Sequence, residues 1–281
     1  MSGPVLSSQA KGIWPRLTSN KYLFFACLGL LGGLLGALLA EPPMILTNTL
    51  SSSIADNAFF LIFITVVWAS IFSTAIAFSL MIAERLHQRN KQSIWNILLR
   101  AMGAGMLGGL VGGGLAQLLF GLMPQGWWFA EIFVRAFCWG LMGVVVGCGI
   151  SLFIPNMKLI RATLGGFCGG LLGGFGFVLM IFIMTGLLKD LLGEYFSGLI
   201  SRLAGIGILG VALGLAVVIA ERLFQQASLE IVWLPGQTSR ITLGEKPVTI
   251  GSRGDDIVIP GLKSNTAAVV LTEGNVQYVD N

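Results

Sequence analysis

Residues 161–176 read RATLGGFCGGLLGGFG, seven glycines in sixteen positions, within an apolar run of helical length. In a helix exposed to water each glycine costs roughly 0.5–1 kcal/mol against alanine, so the run needs an environment that rewards bare backbone. Lipid is such an environment. No hydrophobic force drives helices together there, and close packing of small residues becomes a main source of association. Glycines four and seven residues apart lie on one side of a helix, so GGLLGG forms a flat groove for another backbone.

The chain as a whole agrees. Of 281 residues, 55% are apolar and 11% charged, where a soluble domain carries roughly 25% charged residues, and the mean hydropathy is +0.84. Crossing a bilayer takes about 20 apolar residues. Six such stretches can be placed, at Tyr22–Ala40, Phe59–Ala83, Trp95–Leu122, Trp128–Ile154, Leu159–Leu187 and Phe196–Ala220. Lys11, Arg16, Lys21, Arg85, Arg89, Lys91, Lys158, Arg161 and Arg222 then gather on one side. The positive-inside rule makes that side cytoplasmic, with both termini on it. The net charge of +4 is thereby explained by topology, and no nucleic-acid partner is expected. The first stretch ends ALLAEPP, in the manner of a cleavable signal, but the repeat described next argues that it is retained.

The opening stretch aligns without gaps to RAMGAGMLGGLVGGGL at 100–115 and to CLGLLGGLLGA at 27–37. Gly169-Gly170 falls on Gly108-Gly109 and on Gly32-Gly33; Gly173 falls on Gly112 and Gly36. The even-numbered stretches share a second template. RAFCWGLMGVVVG at 135–147 aligns to RLAGIGILGVALG at 202–214, placing Arg135 on Arg202 and Gly140 on Gly207, with Ser70 at the corresponding place in the second stretch. IAERL at 82–86 recurs at 219–223. The membrane domain therefore reads as three parallel copies of a helical hairpin. Its glycines, among them Gly32, Gly33, Gly108, Gly109, Gly169, Gly170, Gly140 and Gly207, either pack helices within or between chains, leaving a homo-oligomer open, or also line a path.

No charge sits at the centre of a stretch, where it would mark transport. Arg100 and Arg161 lie in first turns and Glu84 and Glu221 at cytoplasmic ends, so a carboxylate clamped to an arginine across helices is expected. Glu131 precedes Arg135 by four residues, the spacing of a helix ion pair, whereas Arg202 has no partner nearby in sequence. Trp127, Trp128 and Tyr195 read as interfacial anchors. Cys27, Cys138, Cys148 and Cys168 show neither disulfide nor metal spacing, and His87 reads as a loop residue. Hydrolase, metalloprotease and phosphate-loop motifs are missing from the sequence, so no enzyme, no metal and no cofactor are expected.

From about Gln225 the composition changes to short β-branched runs, LEIVWL, SRITL, VTIG, DIVI, TAAVVLT and NVQYV, broken by Gly, Pro, Asn and Asp turns. Within them, VTIGSRGDDIVIPGLKSNTAAVVL carries Ile250-Gly251, Asp256-Ile257 and Ser264 in the order of the forkhead-associated domain, which it resembles. That resemblance implies a β-sandwich that binds phosphothreonine. Ser252 stands where the family has its phosphate-contacting arginine, Arg253 comes one place late, and Ala267 replaces the family's histidine. About 54 residues, the first half of such a domain, are covered. The candidate phosphopeptide contacts are Ser252, Arg253, Ser264 and Asn265, and contact with a partner without phosphate is the other reading.

The expected architecture is thus a cytoplasmic segment (1–21), an all-α polytopic domain of six transmembrane helices in three repeated hairpins (22–222), and a small all-β module resembling the forkhead-associated sandwich, partial at its C-terminus (223–281). The expected role is a multi-pass anchor or scaffold in a bacterial inner membrane, with lipid and a cytoplasmic protein, phosphorylated or not, as partners. A channel or transporter with a glycine-lined path is the alternative.

Overall fold

The computed structural model describes residues 20–43, 45, 57–88, 93–123, 128–152, 159–223, 227–234, 237–243, 246–252, 255–272 and 275–280. Helix α1 is Lys21–Leu39, α2 Ala58–Gln88, α3 Ile94–Gly109, α4 Leu115–Leu122, α5 Trp128–Ser151 and α6 Leu159–Leu223. Asn20 and Asn57 cap the first two, each side-chain oxygen accepting from two backbone N–H groups of the first turn. Helix α2 runs on through Arg85 and His87 in its last turn, where positive charge suits the helix dipole. His87 is therefore a partly buried helix residue rather than the expected loop residue.

Among the described residues, five helices are long and apolar enough to cross a membrane: Lys21–Pro43, Ala58–His87, Ile94–Leu122, Phe129–Ser151 and Leu159–Leu223. Their outer surfaces carry Phe59, Leu122 and Phe182, each at least 80% exposed, which belongs in lipid rather than water. The third of these helices joins α3 to α4 through a π-helical turn, Leu110–Gly114, three of whose residues are glycine, whose backbone departs from regular helix most freely.

The last helix has 65 residues but is broken at Gly193, with φ 79° and ψ 171°, a backbone region essentially reserved for glycine. Its two arms fold back on each other. Gly165 faces Ala216 and Ala220, Gly169 faces Ala212 and Ala216, and Gly173 faces Leu209 and Ala212, while Thr185 Oγ1 and Ser201 Oγ lie 3.1 Å apart. Counting both arms, the helical part has six rods.

The glycine doublets divide their work between neighbouring rods. Their first member meets the following rod: a Cβ on Gly32 would lie 2.7 Å from Ser79 Cβ, one on Gly112 2.8 Å from Met142 Cβ, and one on Gly173 2.9 Å from Leu209 Cα, while Gly108 meets both neighbours, Ser73 Oγ at 2.9 Å and Met142 Cγ at 3.2 Å. The second member meets the preceding rod. Gly109 presses on the backbone of Ser70 and Gly170 on that of Gly140; Gly33, whose preceding rod is the second arm of α6, presses on Gly207. The rods thus close into a ring with approximate threefold repetition, and the glycines serve seams within hairpins and between them alike. Gly143 and Gly166 approach so closely that a Cβ on either would overlap the other's carbonyl oxygen. Inside the ring, Trp68, Phe72, Trp139 and Phe177 form a buried aromatic core, with Phe72 and Trp139 stacked at 5.2 Å.

Beyond the helices, six strands fall on the six β-branched runs: β1 Ala227–Leu234, β2 Gln237–Leu243, β3 Val248–Gly251, β4 Ile257–Val258, β5 Ala267–Thr272 and β6 Asn275–Asp280. Strands β1 and β2 form an antiparallel hairpin, and the others a mixed sheet in the order β4-β3-β5-β6. Ile241 and Leu243 of the hairpin share one apolar cluster with Val248, Ile257 and Val269 of the sheet.

Candidate functional site

The loop between β3 and β5 holds the expected phosphopeptide contacts, and its geometry follows from two aspartates. The Asp256 carboxylate accepts from Thr249 N at 3.0 Å and from Thr249 Oγ1 at 3.2 Å, and Thr249 Oγ1 accepts in turn from Asp256 N at 3.1 Å. This clasp sets β4 beside β3 in a parallel register, Ile250 opposite Ile257. A parallel pair normally needs a crossover of a dozen or more residues. Here β4 is only two residues long, and the clasp replaces the crossover.

Asp255 occupies the centre of the loop at 7% exposure. Its Oδ2 accepts from Asn265 N at 3.0 Å and from Ser264 Oγ at 3.4 Å. Asn265 has φ +52°, a left-handed conformation that asparagine tolerates better than most residues. Gly251 lies beneath, where a Cβ would come within 2.7 Å of Asn265 N and within 2.5 Å of Lys263 O. Ile-Gly in the motif is therefore required by close approach of the backbone. Two of the four expected contacts, Ser264 and Asn265, are brought together, but they converge on a carboxylate of the chain itself. Ser252 is partly buried at the loop's start, with its carbonyl accepting from Asp255 N. Arg253 lies outside the described residues.

At the end of the ring near the β module, Lys21 Nζ lies 3.0 Å from Glu84 and 2.7 Å from Glu221. These side chains are no more than 10% exposed, and Arg222 stacks 4.4 Å over the Tyr22 ring. The repeated IAERL segments thus bring their glutamates to one lysine of α1, which the sequence reading did not pair with them. A lysine between two carboxylates gives a buried ionic plug of the kind that is costly to break from one side.

At the other end, Arg135 pairs with Glu131 at 2.7 Å. Arg202, without a partner nearby in sequence, donates through Nε and Nη2 to Glu41 at the end of the first rod. Tyr195 is 44% exposed and packs on Phe196. Trp127 and the side chain of Trp128 lie outside what is described, and the four cysteines are free thiols.

Sequence reasoning missed Lys21, Glu41 and Asp255. Lys21 was counted only as a topological charge, and its first-turn position before a span was the one available hint. Comparison with family models, with curated proteins and with solved structures finds no match for this chain.

Proposed function

We propose that the protein is a multi-pass membrane anchor with six crossings that holds a recognition module, related in form to the forkhead-associated sandwich, at the cytoplasmic face. The observation carrying this reading is the edge strand β6. Every residue from Asn275 to Asp280 is exposed, including Val276 at 59% and Tyr278 at 65%, and β6 ends the sheet order. An edge strand with exposed apolar side chains is a template for an added strand from a partner. Only Phe224, Gln225 and Gln226 separate α6 from β1, so the module is held close to the membrane.

The partner is an extended peptide bound through β6, and binding does not depend on phosphate, because Asp255 takes the Ser264 hydroxyl and the Asn265 backbone N–H. The channel alternative draws less support, since the doublet glycines face neighbouring rods. The test is to pan a peptide-display library, with and without phosphothreonine, against the full-length protein in nanodiscs. β-branched peptides should be enriched equally in both forms and lost with Val276→Lys/Tyr278→Lys. Enrichment that requires phosphothreonine, or binding indifferent to the double variant, would overturn the reading.

A further inference from the structure

Inside the ring, at the end away from Lys21, lies a cavity of about 340 Å³. With water at about 30 Å³ per molecule, that is room for about eleven waters, and it falls in the size range of small-molecule sites. Its lining changes character along its length. Deep in the ring it is Phe72, Trp139, Met142 and Phe177; at the mouth it is Thr65, Gln117, Arg135 and Arg202. From Met142 to Arg135 is seven residues of helix, a depth of about 10 Å.

The mouth is also where the threefold repetition breaks down. Arg135 and Arg202 occupy equivalent positions, five residues before Gly140 and Gly207, and Thr65 stands five before Ser70. All three line the one cavity. Every polar side chain described at the mouth can donate a hydrogen bond, and no carboxylate lines it among the described residues.

The two arginines are not held alike. Arg202 is fixed by two hydrogen bonds to Glu41, whose side chain is 10% exposed. Arg135 is paired with Glu131, a 53% exposed residue one turn earlier on its own helix. Such exposed pairs contribute little and exchange partners readily. Arg135 also stacks over Phe120 at 4.9 Å, which keeps its guanidinium at the mouth.

We propose that this cavity binds a small anionic amphiphile, its apolar or aromatic body among Phe72, Trp139 and Phe177 and its carboxylate or phosphate on Arg135, with Arg202, Gln117 and Thr65 as further donors. Charge-assisted and bidentate contacts make arginine suited to either anion. The site is independent of the β module and requires no opening of the ionic plug.

The test uses the full-length protein in detergent and the quenching of its tryptophans, since Trp68 and Trp139 line the cavity. Probes are 8-bromooctanoate, 8-bromooctyl phosphate, 8-bromooctanol and inorganic phosphate. Saturable quenching by one or both anionic amphiphiles is expected, at least tenfold tighter than by the alcohol. Arg135→Gln should weaken it at least tenfold, and Glu131→Gln, which frees Arg135, should tighten it several-fold. Glu131 is half exposed, so its variant decides the question if Arg135→Gln does not fold. Equal quenching by the alcohol, displacement of the probe by inorganic phosphate alone at matched concentration, or affinities unchanged in Glu131→Gln would overturn the proposal.

Discussion

The two ends of the helical ring are built from corresponding positions of one repeat and have opposite character. Near the β module, Glu84 and Glu221 close on Lys21 with no more than a tenth of any side chain exposed. At the far end, Arg135 and Arg202 stand around a cavity, each tied to a carboxylate outside its lining. Between the ends, the seams keep their repetition, with Gly36, Gly112 and Gly173 each against the next rod. Backbone contact tolerates no side chain, so it keeps the repeat uniform. Rod ends are under no such constraint, and there the copies are free to diverge into a plug on one side and a hollow on the other.

Three experiments break or sharpen that contrast, and the largest effect belongs to the seams. Gly143→Leu places a side chain against the carbonyl of Gly166, which backbone cannot yield to. A loss above about 5 kcal/mol, enough to consume the stability of a typical protein, is expected, read as failure of the purified protein to fold in a detergent–SDS titration.

Next comes the plug. Lys21→Met leaves two buried carboxylates together and should cost about 3–5 kcal/mol in the same titration, whereas Lys21→Met/Glu84→Gln/Glu221→Gln should recover most of it, because removing a whole buried ion cluster is often nearly neutral. If the single and triple variants were equally destabilised, the plug would be a packing feature and not an electrostatic one.

The smallest effects come from two glycines with nothing within 4 Å of a built Cβ. Gly193 has φ 79°, so Gly193→Ala should cost about 1–3 kcal/mol in backbone strain. Gly103 lies in regular helix, and Gly103→Ala should stabilise by about 0.5–1 kcal/mol. Thermal unfolding in detergent separates the two signs.

Much of the ring was legible in the sequence because its cause is local. A doublet repeated every four residues needs only the helical period to become two grooves, and recurrence at 32–33, 108–109 and 169–170 made three hairpins readable. The division of each doublet between two neighbours was not legible, since it depends on ring closure by α1 against the second arm of α6. The ion pairs escaped for the same reason. Lys21 and Glu221 are 200 residues apart, and Arg202 and Glu41 161 apart, beyond any rule based on local spacing. Glu131 and Arg135, four apart, were found. In the β module the six strands were readable from alternation and turns, but Asp255 was hidden. Its Asp-Asp step reads as a turn, and only the fold brings Ser264 and Asn265 onto its carboxylate.

The ring closes only because the 65-residue helix α6 turns back at Gly193. A Cβ on Gly176 would lie 3.9 Å from Ile208 Cβ, within the span of a disulfide; on an unbroken helix those positions would be about 48 Å apart. With Cys27, Cys138, Cys148 and Cys168 replaced by alanine, Gly176→Cys/Ile208→Cys should form an intramolecular disulfide in native membranes on mild oxidation. Two free thiols after oxidation, or a bond found only between two chains, would contradict the folded-back arm and with it the closed ring.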